Sequence, residues 1–78
     1  MIMKELLLVI AKALVDHPDD VTVTEVEKEG GEITLELRVH EDDMGKVIGK
    51  QGRIAKAMRT VMKSAANRES KKVSVDII

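Results

Sequence analysis

Gly45-Lys46-Val47-Ile48-Gly49-Lys50-Gln51-Gly52-Arg53-Ile54 is the stretch on which the reading of this 78-residue chain turns. Two glycines bracket two polar residues, an apolar pair precedes them, and a long amphipathic helix pattern follows. Glycine lets a backbone approach a bulky ligand with no Cβ in the way. A helix starting just beyond aims free N–H groups and a partial positive charge at the same spot. Lys46, Lys50 and Arg53 ring that spot with cations. The combination reads as a clamp for a nucleic-acid backbone.

The charge distribution agrees. The net charge is only −1, yet residues 1–43 hold four bases (Lys4, Lys12, Lys28, Arg38) against twelve acids, a balance of −8. Residues 44–72 hold nine bases against Glu69 alone, a balance of +8. A near-neutral protein with one basic half attracts a polyanion locally. The composition, 44% hydrophobic and 35% charged, suits a single small folded domain over residues 1–78. Absence of cysteine excludes disulfides and thiolate metal sites and fits a reducing compartment. The apolar run Leu6 to Ile10 is too short to span a bilayer and lacks the flanks of a secretory signal, so a cytoplasmic protein without membrane contact is expected.

Outward from the central stretch, the secondary structure follows from periodicity. Ile54, Ala57, Met58, Val61, Met62 and Ala65 recur at helical spacing, with Arg53, Lys56, Arg59 and Lys63 on the opposite arc, predicting a helix to Ala66 or Asn67. A short helix at Met44 to Ile48 is expected before it, with Glu41-Asp42-Asp43 favouring its positive end. Upstream, Ile33, Leu35, Leu37 and Val39 alternate with polar residues as a strand with one buried face. Gly30-Gly31 marks a two-residue turn to a preceding strand. That strand holds Val21, Val23 and Val26, whose phase slip suggests a bulge near Thr24-Glu25. Met3, Leu6, Leu7, Ile10, Ala13 and Leu14 predict an opening helix that ends at Asp16-His17-Pro18. Leu8, Ala11 and Val15 fall outside that stripe, as core or as surplus apolar surface for self-association. Val73, Val75 and Ile77 alternate as a last strand. The methionines at 44, 58 and 62 read as flexible core fillers.

These residues carry a resemblance. Val47-Ile48-Gly49-Lys50-Gln51-Gly52-Arg53-Ile54 resembles the signature of the K-homology (KH) domain, in which a G-x-x-G loop joins two helices. The element order matches the type II KH fold. The chain, nearly end to end, is similar to the small bacterial single-KH RNA-binding proteins of the KhpA type. The fold so implied is α+β, ordered α-β-β-α-α-β, with a three-stranded mixed sheet covered on one face by three helices. The resemblance implies a non-catalytic protein whose groove binds about four nucleotides of single-stranded RNA, in RNA metabolism or post-transcriptional regulation. By position, Gly49, Lys50, Gln51 and Gly52 form the clamp. Lys46 and Arg53 flank it, Ile48 and Ile54 lie at or beneath the groove floor, and Lys56 follows on the next helical turn. Arg38 on the second strand and Arg68, Lys71 and Lys72 in the variable loop are candidates for the other wall. Homodimerisation, and pairing with a larger KH-containing RNA-binding protein, are also implied.

The chain has no Phe, Tyr or Trp, so bases must meet aliphatic surface, backbone edges and arginine planes instead of aromatic rings. A single such site is expected to be weak, with useful affinity coming from two linked sites. Against an enzyme, no Walker loop, nucleophile elbow or HExxH motif is present. His17 and His40, each followed by acids, sit at a helix end and a helix start, where solvated caps account for them, and neither a metal nor a cofactor is expected. The two glycines and the strand pattern also fit a DNA-binding helix-turn-helix poorly. The alternative is a KH-fold interaction or dimerisation module with little RNA binding of its own. Lys50 within an intact loop argues against it.

Overall fold

The computed structural model describes residues 2–78, Lys50 by its backbone alone. Its elements are α1 (Met3–Leu14), β1 (Thr22–Glu27), β2 (Ile33–Arg38), α2 (Glu41–Arg68) and β3 (Val73–Ile77). Single 3-10 turns lie at Pro18–Asp20 and Glu29–Gly31. Within α2, Gln51 and Gly52 have φ of 63° and 70°. A right-handed helix does not continue through such residues, so α2 comprises two arms, residues 41–50 and 53–68. Counting the arms separately gives the expected α-β-β-α-α-β order and an α+β fold.

The sheet order is β1-β2-β3. β1 and β2 pair antiparallel from Thr22↔Arg38 to Glu27↔Ile33. β2 and β3 pair parallel from Ile33↔Val73 to Leu37↔Ile77. A parallel neighbour demands a crossover, which α2 supplies. The bulge expected near Thr24-Glu25 is absent, because all six β1–β2 pairs are in unbroken register. Val21 and Val23 are buried, while Val26 belongs to the other face, in the row Val26, Thr34, Ser74. Glu25 shares the core-side face yet is exposed, so the phase slip marks where β1 runs past its helical cover. The hairpin turn is also one residue longer than expected. Lys28 N–H donates to the Glu32 carbonyl at 2.7 Å, and both glycines between them take positive φ.

The core lies between the helices and the Leu35–Leu37 face of β2. Leu7, Leu35, Leu37, Val47, Met58 and Met62 are fully buried there, each worth about 1.5–3 kcal/mol of transfer free energy. On α1 the buried positions are Met3, Leu7 and Ala11, with Leu6, Leu8, Ile10 and Val15 packed at the margin. Ala13 and Leu14 are exposed, against expectation. On the second arm of α2 the buried line is Ala55, Met58, Met62 and Ala66, leaving Ala57 and Val61 outside. In both helices alanines take core positions beside larger side chains, Ala11 with Met3 and Leu7, and Ala55 and Ala66 with Met58 and Met62. Thr34, on the face away from the helices, is buried and satisfied by Ser74, whose Oγ lies 3.1 Å from its Oγ1. Among the described residues no helix is long and apolar enough to cross a membrane.

Candidate nucleic-acid interface

The site is built on the start of α2, three residues earlier than the expected Met44. His40 caps the helix, its Nδ1 accepting the Asp42 N–H at 2.9 Å, and Glu41, Asp42 and Asp43 fill the first turn. Carboxylates there are favoured by the helix dipole. Asp43 turns inward and is buried. It accepts the backbone N–H groups of Asp16 at 3.1 Å and His17 at 3.0 Å, and the His17 ring lies 3.1 Å away through Nδ1. Burial alone would push this carboxyl up, but the two backbone donors and the His17 ring outweigh it and hold the group below the usual carboxylate range. The rings of His17 and His40 stack at 4.0 Å with an interplanar angle of 15°.

Sequence reasoning did not foresee that these two histidines meet. With Asp42 they place three ligand-type atoms within 4.8 Å of one another. His40 accepts the Asp42 N–H through Nδ1, however, so its ring proton sits on Nε2 and no lone pair is left there, and the near-parallel rings do not converge on one point. The cluster is a joint fixing the α1–β1 connection to the first turn of α2.

One turn further on, Val47 is buried in the core while its neighbour Ile48 is 53% exposed. Ile48 is therefore open to a ligand. Ile54 packs half-buried against the core. Gly45, Lys46, Gly49, Arg53 and Ile54 line one shallow depression beside the turn. An added Cβ at Gly45 or Gly49 would meet no atom within 4 Å. The fold therefore does not need these glycines for packing, and they leave backbone uncovered. Gln51, exposed and left-handed, and Gly52 interrupt the right-handed helix, and the new arm presents its first N–H groups toward the turn. Side-chain placement of Lys50 lies outside the described residues. Lys46 Nζ sits 3.4 Å from Asp16 Oδ1, an exposed pair of little net worth that phosphate can replace.

The other candidates disperse. Lys71 and Lys72 join Lys63, Asn67 and Glu32 around a second concavity at the far end of α2, about 20 Å along the helix from Arg53 at 1.5 Å per residue. Arg68 lines a third, apolar groove with Leu6, Val61 and Ala65, on the α1 side. Arg38 alternates with Leu37 and is exposed on the sheet face away from the helices. Lys56 is exposed, four residues beyond Gly52 on the same helical flank. That flank also carries Arg59, one of the bases on the arc opposite the apolar stripe and not among the expected site residues. Its Nε donates to the Val75 carbonyl at 3.2 Å. The i+4, i+7, i+11 spacing of Lys56, Arg59 and Lys63 from Gly52 was the available signal.

The model of the KhpA/KhpB KH domain matches residues 4–77. The chain is 66% identical over 76 residues to the RNA-binding protein KhpA of Clostridium perfringens, covering 97% of this chain and 100% of that one. Against the protein of the same name from Halalkalibacterium halodurans it is 58% identical, covering 97% and 99%. Against that from Treponema pallidum the figure is 51% over 75 residues, covering 96% and 92%. On this full-length match, and with the Gly49–Gly52 turn seated between two helical arms, the chain belongs to the KhpA/KhpB family of KH-domain proteins.

Proposed function

We propose that this chain is a non-catalytic binder of single-stranded RNA, holding about four nucleotides by their backbone at the Gly49-Lys50-Gln51-Gly52 turn. The observation that carries the reading is the turn itself: a left-handed break in the helix beside uncovered glycine backbone, at a depression lined by Lys46 and Arg53. Relatives of nearly the same length bear the name RNA-binding protein. Without aromatic rings one such site is weak, and two sites linked by pairing raise the affinity without new contacts. A homodimer fits this need. Pairing with a larger KH-containing RNA-binding protein, as the resemblance implies, meets it equally. The apolar groove of Leu6, Val61 and Ala65 is the surface for it, since Leu8, Ala11 and Val15 pack into the domain's own core. In this reading the protein works in the cytoplasm, in RNA metabolism or post-transcriptional regulation.

The test is fluorescence polarisation with a short unstructured RNA across a salt series. Three to five neutralised phosphates give log affinity a slope of about −2 to −3.5 against log salt, from about −0.7 per contact. Salt-independent binding would remove the basic half as the binding surface.

A further inference from the structure

We infer that Arg59 is the residue on which one RNA base stacks, taking the part that aromatic side chains play in other single-strand binders. The inference rests on the RNA-binding reading above and deepens it from backbone to base.

The argument begins with what is missing. A strand held only by its phosphates leaves its bases in water, and sequence-tolerant binders solve this with π-faces. This chain has no Phe, Tyr or Trp, and its two histidines are stacked on each other and committed to Asp43 and to the cap of α2. The remaining planar groups of that kind are arginine guanidiniums, which stack on bases when held in place. A free arginine loses rotamer entropy on doing so. One already pinned loses less.

Arg59 is pinned. It lies seven residues beyond Gly52, so it shares the flank of α2 that leaves the clamp. β3 is an edge strand. The Lys72 carbonyl and the Ile78 N–H bond to β2, so by alternation the Val75 carbonyl points to the free edge. Arg59 Nε takes that carbonyl at 3.2 Å. The bond fixes the guanidinium across the seam between α2 and β3 while the residue stays exposed. None of the ion pairs among the described residues uses its charge. Arg53 and Arg68 border the depression and the apolar groove on other sides of the helix, and Arg38 is on the far face of the sheet.

The experiment pairs Arg59→Lys with an abasic scan of a labelled hexanucleotide. Lysine keeps the charge and a donor for the Val75 carbonyl but has no plane. With the native protein, removing the base at one position should cost about 5- to 10-fold in affinity. With Arg59→Lys that penalty should shrink to twofold or less, while the salt slope and the rest of the scan hold. Arg59→Ala, with a melting curve, isolates the structural tie between α2 and β3. An abasic profile unchanged by Arg59→Lys would overturn the inference, as would a loss spread evenly over all positions. Failure of the native protein to bind any RNA would instead remove the reading beneath it.

Discussion

Asp43 holds His17 twice through one oxygen: Oδ2 accepts the His17 backbone N–H at 3.0 Å and lies 3.1 Å from its ring Nδ1. One carboxylate thereby ties the α1–β1 connection to the helix that leads into the Gly49–Gly52 turn.

This tie makes stability depend on acid. A carboxyl held below its ordinary value contributes fully above the unfolded value, about 3.9, and its contribution is lost as pH falls through the folded value. Asp43→Asn should therefore lower the Tm at pH 7 by roughly 5–10 °C. The gap to the native protein should narrow once the pH is taken well below that unfolded value, as the Asp43 carboxyl becomes protonated. Melting curves separated equally at pH 7 and in acid would contradict the assignment.

The cap of α2 gives a second stability test. His40→Ala removes the acceptor of the Asp42 N–H and should cost about 1 kcal/mol in denaturant unfolding. His40→Asp restores an acceptor and adds a charge the dipole favours, so it should recover most of the loss. Equal losses in both variants would place the contribution of His40 in its stack on His17 instead.

Gly49 separates folding from binding. A Cβ there meets no atom within 4 Å, and alanine is the better helix former by about 0.5–1 kcal/mol. Gly49→Ala should melt no lower than the native protein. Its RNA affinity should nonetheless fall at least tenfold if the proposed clamp holds, because the methyl group would stand where the strand's backbone is to approach. Unchanged affinity would move the clamp away from this glycine.

Assembly is read by sedimentation equilibrium at micromolar concentration. A homodimer gives about twice the 8.6 kDa chain mass. Val61 is 45% exposed in the apolar groove, so Val61→Glu should return the monomer without unfolding it. A native protein of 8.6 kDa throughout would end the homodimer while leaving RNA binding standing.

Much of this architecture was legible in the sequence because its signals are local. Ile33, Leu35 and Leu37 alternate with the period of a strand, and Gly49 and Gly52 punctuate a helix that would otherwise run on. The buried stripes were harder to place. Hydrophobicity favours Val61 over Ala66, yet Ala66, Ala55 and Ala11 are the buried ones, because where elements approach closely the smaller residue fits. In the sequence Asp43 is one of three acids that favour the positive end of a helix, and only the fold brings the N–H groups of Asp16 and His17 to it. The candidate site divides the same way. The residues of the motif gather around Gly49, whereas Arg38, Arg68, Lys71 and Lys72, candidates for the other wall whose places the motif does not fix, stand on separate surfaces.

The clamp itself is tested most directly by changing Lys50 and Gln51 together to Asp, then measuring polarisation binding to a short unstructured RNA beside a melting curve. Gln51 is exposed on the turn, so the fold should persist with little change in Tm. Two carboxylates would then face the phosphates at the point where the proposed clamp has backbone N–H groups and the helix dipole attract them. Binding should be abolished, with a greater loss than from removing Lys50 alone and a far greater one than from reversing Lys63. Full binding by the folded double variant would contradict the clamp and leave the chain a KH-fold interaction module.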